Sequence, residues 1–221
     1  LMEGGNTFAD TLKMLEYWDE FVDIYNVSLA LSPTLHYQLD TMDMEDGWRT
    51  HYARTVKEKF GKPCITMGNI RTPELADKLV TEGTADFIGI GRGLIADPQW
   101  VNKVYEGREA QIRKCISCNI GCAGNRLANN RMIRCTINPD LIHDNDYKKL
   151  HVKRAANVVV IGGGTAGLEA ACSAAEVGCS VFLLEKGNEL GGLAQKISTF
   201  PEKRRIRQFV DYQKCRADAL K

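Results

Sequence analysis

Four cysteines in one short stretch are the residues of this chain whose types and spacing point most clearly to chemistry. Cys115, Cys118 and Cys122 follow the pattern C-x2-C-x3-C, and Cys135 follows after twelve intervening residues. Three thiolates on one tight loop and a distant fourth suit a cubane iron–sulfur cluster. Four thiolates also satisfy the tetrahedral coordination of zinc, although zinc sites more often use two separated knuckles. The spacing therefore favours a cluster and leaves zinc as the alternative.

A glycine-rich turn in the last third of the chain has the pattern of a dinucleotide site. Gly162, Gly164 and Gly167 form G-x-G-x-x-G between an apolar segment and an alanine-rich one, and Glu185 comes 23 residues after Gly162. Such glycines permit a tight turn, close approach of a pyrophosphate and close packing of helix on strand, while the acidic residue accepts hydrogen bonds from a ribose. Gly192, in a second glycine pair, would allow another close approach, which is more typical of FAD than of NAD. A glycine turn without a ligand is the alternative.

Two further glycine-bearing loops are candidates for holding a phosphate. Gly68 and Asn69 follow one apolar segment, and Gly91 and Arg92 follow the next. In a βα barrel the loops after the last two strands commonly bind a phosphate. Backbone amides would supply donors there, and the guanidinium fork of Arg92 matches phosphate geometry. An ordinary turn would have the same local sequence.

Composition gives mild limits. The chain has 221 residues, 44% of them hydrophobic, and a formal net charge of +1. Neither a long basic run nor an apolar stretch of about 20 residues is present, so we expect neither nucleic acid nor a membrane as a partner. Cysteines at metal spacing, with single cysteines scattered elsewhere, predict a reducing, cytoplasmic location.

Hydrophobic periodicity predicts an α/β chain built from parallel βα units. In the first part, helices are expected at 7–20, 45–60 and 72–82, strands at 22–28, 63–67 and 85–90, and a helix opening at 97–98. In the last part, strands are expected at 157–161 and 180–184, with helices at 166–177 and 202–220. Three strands and two strands leave each parallel sheet incomplete. We therefore expect this chain to be an internal segment of a longer polypeptide, inactive by itself.

Seven strings of the sequence together resemble the iron–sulfur flavoenzymes of the old yellow enzyme superfamily. That group includes 2,4-dienoyl-CoA reductase, 2-enoate reductase, the bile-acid-inducible enoate reductases and trimethylamine dehydrogenase. The strings occur in the family's order and span nearly the whole chain: GGNTFADTL, TMGNIRTPELA, DFIGIGRGLIADPQW, RKCISCNIGC, CTINP, VVVIGGGTAGLEAA and LLEKGNELGG.

The resemblance implies a division of the chain into parts. Residues 1–110 would be the C-terminal portion of an FMN-binding (β/α)8 TIM barrel, and residues 111–143 a segment that binds a [4Fe-4S] cluster. Residues 144–156 would be a linker, and residues 157–221 the truncated start of a Rossmann-like FAD domain.

The resemblance also assigns roles to individual residues. The FMN phosphate loops would comprise Gly68, Asn69, Gly91 and Arg92, and the cluster ligands would be Cys115, Cys118, Cys122 and Cys135. The FAD contacts would be Gly162, Gly164, Gly167, Glu185 and Gly192.

The activity implied is electron transfer from NAD(P)H through FAD and the cluster to FMN, which then reduces an activated C=C bond. The substrate would be a small unsaturated acid or thioester, and a second copy of the chain is a further expected partner. The family's proton-donating histidine aligns with Ser32, so His36, four residues later, is the candidate donor. Two alternatives remain open: an amine dehydrogenase resembling trimethylamine dehydrogenase, and a non-catalytic interaction module stabilised by zinc.

Overall fold

The computed structural model describes residues 4–30, 34–141 and 152–220, a mixed α/β chain that divides after Gly91 into two compact units. This division falls earlier than the domain end expected at residue 110, which stays a prediction. Most of the expected linker, 144–156, lies outside the described residues, as does Ser32. No helix in the described part of the chain is long and apolar enough to cross a membrane.

The first unit is a parallel three-stranded sheet with helices between its strands. Strands β1 to β3 pair in sequence order, with Tyr25 opposite Cys64 and Ile65 opposite Phe87. The expected parallel βα units are thereby confirmed, although the paired strands are shorter than predicted. Its elements are α1 (Phe8–Trp18), β1 (Tyr25–Asn26), α2 (Leu35–Gln38), α3 (Thr50–Phe60), β2 (Cys64–Thr66), α4 (Pro73–Thr81) and β3 (Phe87–Ile88).

Local sequence explains where these helices begin. Thr7 and Asp10 form a reciprocal capping box at the start of α1, and the hydroxyl of Thr72 accepts a hydrogen bond from Leu75 N at the start of α4. Helix α3 begins at Thr50 rather than at residue 45, which corrects the prediction. The reason is Gly47, which adopts a left-handed φ of 71° and donates its N–H to Gly68 O at 2.8 Å.

The core of this unit forms where the sheet meets α1 and α3. Tyr25, Val56 and Cys64 are buried there, and apolar side chains of α1 pack against them. The hydroxyl of Tyr25 donates to Asp19 Oδ1 at 2.8 Å. Burial, aided by this carboxylate, raises the pKa of Tyr25 to about 12, so the hydroxyl keeps its proton and its bond at neutral pH.

A buried ion pair fixes the loop that follows β2. Arg49 and Asp40 lie 3.3 Å apart, with side chains only 6% and 4% exposed. Asp40 also accepts hydrogen bonds from Trp48 Nε1 at 2.7 Å and from Asn69 N at 3.3 Å. Arg49 donates to Met67 O at 3.3 Å. The Arg49–Asp40 pair thus forms hydrogen bonds with the backbone on both sides of Gly68, at Met67 and at Asn69.

The second unit joins the cysteine segment to a two-stranded parallel sheet. Strands β4 and β5 pair along their full lengths, from Asn157 opposite Ser180 to Ile161 opposite Leu184, and both have the predicted bounds. The unit's elements are α5 (Arg92–Ala96), α6 (Trp100–Tyr105), a 3-10 turn (Glu109–Gln111), a π-helical segment (Ile120–Ala128), β4 (Asn157–Ile161), α7 (Thr165–Glu176), β5 (Ser180–Leu184), α8 (Gly192–Ile197), a 3-10 turn (Pro201–Lys203) and α9 (Ile206–Asp218).

Two predicted helix starts in this unit are wrong. Helix α6 begins at Trp100, because the Asp97 carboxylate caps the turn before it, accepting from Gln99 N at 3.1 Å, and also bonds Lys103 Nζ at 2.6 Å and Arg113 N at 2.8 Å. Helix α9 begins at Ile206, because the residues from Pro201 form a separate 3-10 turn.

Helix α9 packs against α7 and thereby supports the glycine-rich turn. Leu168 and Val210 are completely buried between the two helices. Gln213 Nε2 donates to Thr165 O, the first carbonyl of α7, at 2.9 Å. Arg216 pairs with Glu169 at 2.8 Å and with Glu176 at 2.6 Å. The start of α7 is therefore held by apolar burial and by paired charges at once.

Replacing Asp40 should destabilise the first unit strongly, because Asp40→Asn removes the carboxylate that pairs with the buried Arg49 guanidinium. We expect a loss of about 3–5 kcal/mol in the free energy of unfolding, measured by urea denaturation of the full-length protein. Glu16→Gln is the matched control, since Glu16 pairs with Lys59 on the surface, with side chains 52% and 37% exposed. That control should cost less than about 1 kcal/mol; equal losses would show that the buried pair has no special role.

Candidate functional site

The four cysteines of the motif line one hollow in the second unit. The free volume of this hollow is about 20 Å³, and it is partly open to solvent. Burial raises the thiol pKa of Cys115 and Cys135, and each is raised further by the nearby cysteines. Within the described ranges, no three His, Cys, Asp or Glu side chains converge closely enough to hold one metal ion. The cysteines that line this one hollow are Cys115, Cys118, Cys122 and Cys135.

The loop that carries Cys115, Cys118 and Cys122 has an unusual backbone conformation, which lets these cysteines line the hollow. Ser117 and Asn119 both have left-handed φ values, 51° and 56°, which few residues other than glycine adopt. The turn at Ser117 directs its own N–H to Cys115 Sγ at 3.3 Å. The hydroxyl of Thr136 lies 3.4 Å from Cys118 Sγ. A backbone N–H therefore faces Cys115 Sγ, and a hydroxyl lies within hydrogen-bonding distance of Cys118 Sγ.

Gly121 brings the second cysteine segment alongside the first. Its carbonyl accepts a hydrogen bond from Arg134 N at 2.7 Å, and a Cβ atom here would lie 2.6 Å from Arg134 O. Only glycine permits this approach, which places Cys135 opposite the loop. In the sequence, Gly121 is visible as the glycine directly before Cys122, but the role of this glycine was not predicted.

Polar groups in the hollow partly offset the effect of burial on the cysteine thiols. Against the effect of burial, the Ser117 N–H and the charge of Arg92 lower the pKa of Cys115, and the N–H groups of Ile137 and Asn138 lower that of Cys135. A bound cation deprotonates a coordinating thiol outright, and N–H donors to sulfur are a feature of protein iron–sulfur sites. Four thiols that line one space, with N–H donors near two of them, are the residues that would hold a [4Fe-4S] cluster, and cluster binding by them stays a prediction.

The glycine-rich turn has the close contacts that a dinucleotide site requires. Gly162 turns at a φ of 101°, and a Cβ atom on Gly167 would overlap the Gly162 carbonyl oxygen. A Cβ on Gly192 would lie 3.0 Å from Gly164 Cα. The structure thus brings all four predicted glycines together at the N-terminus of α7, where backbone N–H groups and the helix dipole favour an anion.

Glu185 lies beside this turn and stabilises it by hydrogen bonds. Its carboxylate accepts hydrogen bonds from Gly187 N at 2.8 Å and from Gly163 N at 2.6 Å. These two N–H groups hold the pKa of Glu185 below its usual value, so the side chain is ionised at neutral pH. Gly163 was not predicted as a site residue, yet a Cβ there would overlap Leu190. The proposed bond from Glu185 to a ribose stays a prediction.

The four residues expected to hold the FMN phosphate fall in both units. Gly68 and Asn69 follow β2, and Gly91 follows the adjacent parallel strand β3. A Cβ on Gly68 would lie 2.6 Å from Arg49 Cγ, so this loop depends on a glycine. Arg92 begins the second unit, where its Nη1 donates to Asn119 Oδ1 and its side chain lines the cysteine hollow. Phosphate binding by these four residues stays a prediction.

His36 lies in α2 and is exposed. Its ring packs on that of Tyr37, with centroids 4.1 Å apart. Its role as a proton donor also stays a prediction. Three residues that sequence reasoning missed, Asp40, Arg49 and Arg113, are buried charges; an isolated charged residue in a polar segment gives no sign of its burial.

The fold and these sites define a class of flavin-dependent oxidoreductases. Residues 2–111 match the NADH:flavin oxidoreductase / NADH oxidase family, and residues 157–201 match the FAD dependent oxidoreductases. This chain belongs to the NADH:flavin oxidoreductase / NADH oxidase family, as the resemblance predicted, and the two matches support FMN and FAD as cofactors.

Individual relatives agree with this assignment. The chain is 43% identical to an NADH oxidase of Thermoanaerobacter brockii over 96% of its own length and 33% of that protein. It is 34% identical to a cinnamate reductase of Clostridium sporogenes, over 77% of this chain and 25% of the relative. The chain therefore spans about a third or less of the length of these relatives.

Two solved structures have closely similar folds. A 2-naphthoyl-CoA reductase in complex with 2-naphthoyl-CoA aligns with a TM-score of 0.91 at 27% identity, over 99% of this chain and 34% of the other. Histamine dehydrogenase from Rhizobium sp. 4-9 aligns with a TM-score of 0.86 at 27% identity, over 95% and 31%.

Substituting Gly121 should remove the metal centre. In Gly121→Ala the new Cβ meets a backbone carbonyl, so the Cys135 segment must move away from the loop. We expect the full-length variant to retain less than about a tenth of the wild-type iron, because displaced ligands lose metal affinity steeply. Gly187→Ala is the control, since its Cβ would make only an ordinary 3.4 Å contact. Wild-type iron content in Gly121→Ala would contradict this account of the hollow.

Substituting Gly167 should remove FAD selectively. Alanine favours helix formation more than glycine does, so Gly167→Ala should not weaken α7 itself. Its effect should come from the overlap of the new Cβ with the Gly162 carbonyl, which pushes α7 away from the turn. We expect FAD per chain to fall severalfold while iron content is kept, measured by extraction and chromatography of bound flavin. Ser173→Ala, on the same helix, should keep its FAD; equal FAD in both variants would refute the steric role of Gly167.

Proposed function

We propose that the protein containing this chain is an NAD(P)H-dependent oxidoreductase that carries FMN, FAD and a [4Fe-4S] cluster and reduces activated C=C bonds. Its substrate would be a small unsaturated acid or thioester. In this proposal residues 1–110 complete an FMN-binding TIM barrel, residues 111–143 bind the cluster, and residues 157–221 begin the FAD domain, after a linker at 144–156.

The observation that carries the proposal is that the cysteine hollow and the dinucleotide turn belong to one compact unit. Arg113, two residues before Cys115, donates to the hydroxyl of Tyr212 at 2.9 Å. Tyr212 is part of α9, which packs on the helix that begins at the glycine turn. A module that holds an electron carrier and a flavin nucleotide on one scaffold suits electron transfer between them.

The cysteines would be the cluster's ligands, and buried N–H groups would stabilise their negative charge. When bound, a [4Fe-4S] cluster supplies single-electron transfer, which connects flavins too far apart to exchange hydride. Gly162, Gly164, Gly167 and Gly192 would allow close approach of the FAD pyrophosphate, and Glu185 would accept hydrogen bonds from the ribose hydroxyls. Arg92, Gly91 and the Gly68–Asn69 loop would hold the FMN phosphate. Positioning and electrostatics are the protein's contribution to such chemistry.

The reduction of a C=C bond is supported by the relatives. One similar protein is named a cinnamate reductase, and a structure of very similar fold is a reductase in complex with an aromatic acyl-CoA. His36 is proposed as the donor of the proton that completes alkene reduction. We further propose a cytoplasmic location and leave self-association as an expected property of the whole protein.

A second candidate function is amine oxidation. Histamine dehydrogenase has nearly the same fold over this chain, and the same cofactor-binding residues could carry electrons from an amine outward. A zinc-stabilised interaction module is the remaining alternative, because four thiols also suit zinc.

An anaerobic assay of the full-length protein separates these functions. NADH and NADPH oxidation would be followed with cinnamate, an enoyl-CoA and no acceptor, and reduction of a one-electron dye would be followed with simple methylated amines. We expect oxidation of the reduced nucleotide to depend on the unsaturated acceptor and to yield the saturated product. Dye reduction by amines, with no alkene turnover, would favour the dehydrogenase. Protein purified with zinc and without flavin would refute both enzymatic functions.

A further inference from the structure

A buried arginine just ahead of α9 contacts the cysteine loop from a distant part of the sequence. Arg205 is only 2% exposed, and its Nη1 donates a hydrogen bond to Ser117 Oγ at 2.9 Å. Ser117 lies between Cys115 and Cys118, 88 residues earlier in the chain. The contact therefore joins the proposed cluster segment directly to the proposed FAD segment.

The contacted residue, Ser117, has a backbone conformation that needs support from its surroundings. Ser117 is also 2% exposed and has a left-handed φ of 51°, a conformation that a residue with a Cβ holds only when its surroundings enforce it. Because its N–H faces Cys115 Sγ, any relaxation of this turn would move a hydrogen-bond donor away from a ligand sulfur. The Arg205 bond restrains the side chain of this same turn.

We infer that Arg205 is a positioning residue for the metal centre: it fixes the turn at Ser117 and, through its buried positive charge, raises the reduction potential of the cluster. This inference rests on the proposed [4Fe-4S] cluster. The potentials of such clusters depend on nearby charge, hydrogen bonds to sulfur and solvent exposure. Reduction adds a negative charge, which a nearby buried cation stabilises, and a guanidinium stays charged at any physiological pH.

The position of Arg205 also couples the two proposed cofactor sites. It directly precedes α9, in which Val210 closely approaches Gly191 of the second glycine pair. Gln213, further along the same helix, holds the first carbonyl of α7 at 2.9 Å. Helix α9 therefore contacts the dinucleotide turn through Val210 and Gln213, and the residue directly before the helix, Arg205, contacts the cysteine loop.

The test uses the full-length protein with three substitutions and one control. Arg205→Gln removes the charge, Arg205→Lys keeps the charge but loses the planar fork, and Ser117→Ala removes the acceptor. Arg207→Gln is the control, because Arg207 lies one residue into α9 and makes a surface pair with Asp211 at 3.0 Å. Iron and labile sulfide are measured first, then the midpoint potential by anaerobic titration with electron paramagnetic resonance, and finally the rate of cluster loss to a chelator.

We expect Arg205→Gln to shift the midpoint potential to a more negative value and Arg205→Lys to keep most of the wild-type potential. Ser117→Ala, Arg205→Gln and Arg205→Lys should each lose the cluster to the chelator about tenfold faster, because each loses the hydrogen bond that the guanidinium donates to Ser117. If Arg205→Gln does not fold, Arg205→Lys and Ser117→Ala carry the test through the rate of cluster loss.

Two results would overturn the inference. One is a midpoint potential for Arg205→Gln equal to that of Arg207→Gln. The other is a wild-type rate of cluster loss in Ser117→Ala and Arg205→Lys. Wild-type protein without iron and sulfide would instead refute the proposed cluster itself, so the two failures are distinguishable.

Discussion

The backbone of Gly121 lies so close to Arg134 that a Cβ atom would come within 2.6 Å of a carbonyl oxygen, and a Cβ on Gly167 would overlap the carbonyl of Gly162. Both candidate sites depend on this kind of contact between main chains without an intervening side chain. At Gly121 it closes the cysteine hollow, and at Gly167 it seats α7 against the turn that follows β4. Because the contacts involve rigid backbone, substitution cannot be absorbed by a change of rotamer, and the geometry of each site is fixed by its glycines.

The burial of charged side chains is a second constraint on the structure of this unit. The second unit encloses Arg205 beside the cysteine loop, and Arg113 links that loop to Tyr212 of α9. A buried guanidinium is costly unless it is hydrogen-bonded, so these contacts are possible only when the loop, α9 and the segment around Asn138 are assembled together. The result is a scaffold in which the position of the sulfurs depends on the same helix that supports the dinucleotide turn.

The sequence predicted the structural elements that follow repeating residue patterns, and it did not predict isolated tertiary contacts. Strands β4 and β5 were predicted with their observed bounds, because short apolar runs flanked by glycine have few other interpretations. The spacing of the cysteines likewise predicted residues that line one hollow. The starts of α3 and α6 were misplaced, because Gly47 and Asp97 are engaged in tertiary hydrogen bonds. The contact between Arg205 and Ser117 joins residues 88 positions apart, and no local pattern indicates such a pair.

Four cysteines on two segments are proposed to hold one iron–sulfur cluster. The most direct test of this proposal is quantitative iron, labile sulfide and zinc analysis of anaerobically purified full-length protein, compared with a Cys135→Ala variant. The account predicts four iron and four sulfide per chain in the wild type, the composition of a cubane, and loss of that full complement in the variant. Stoichiometric zinc without sulfide in the wild type, or an unchanged cluster in Cys135→Ala, would contradict it.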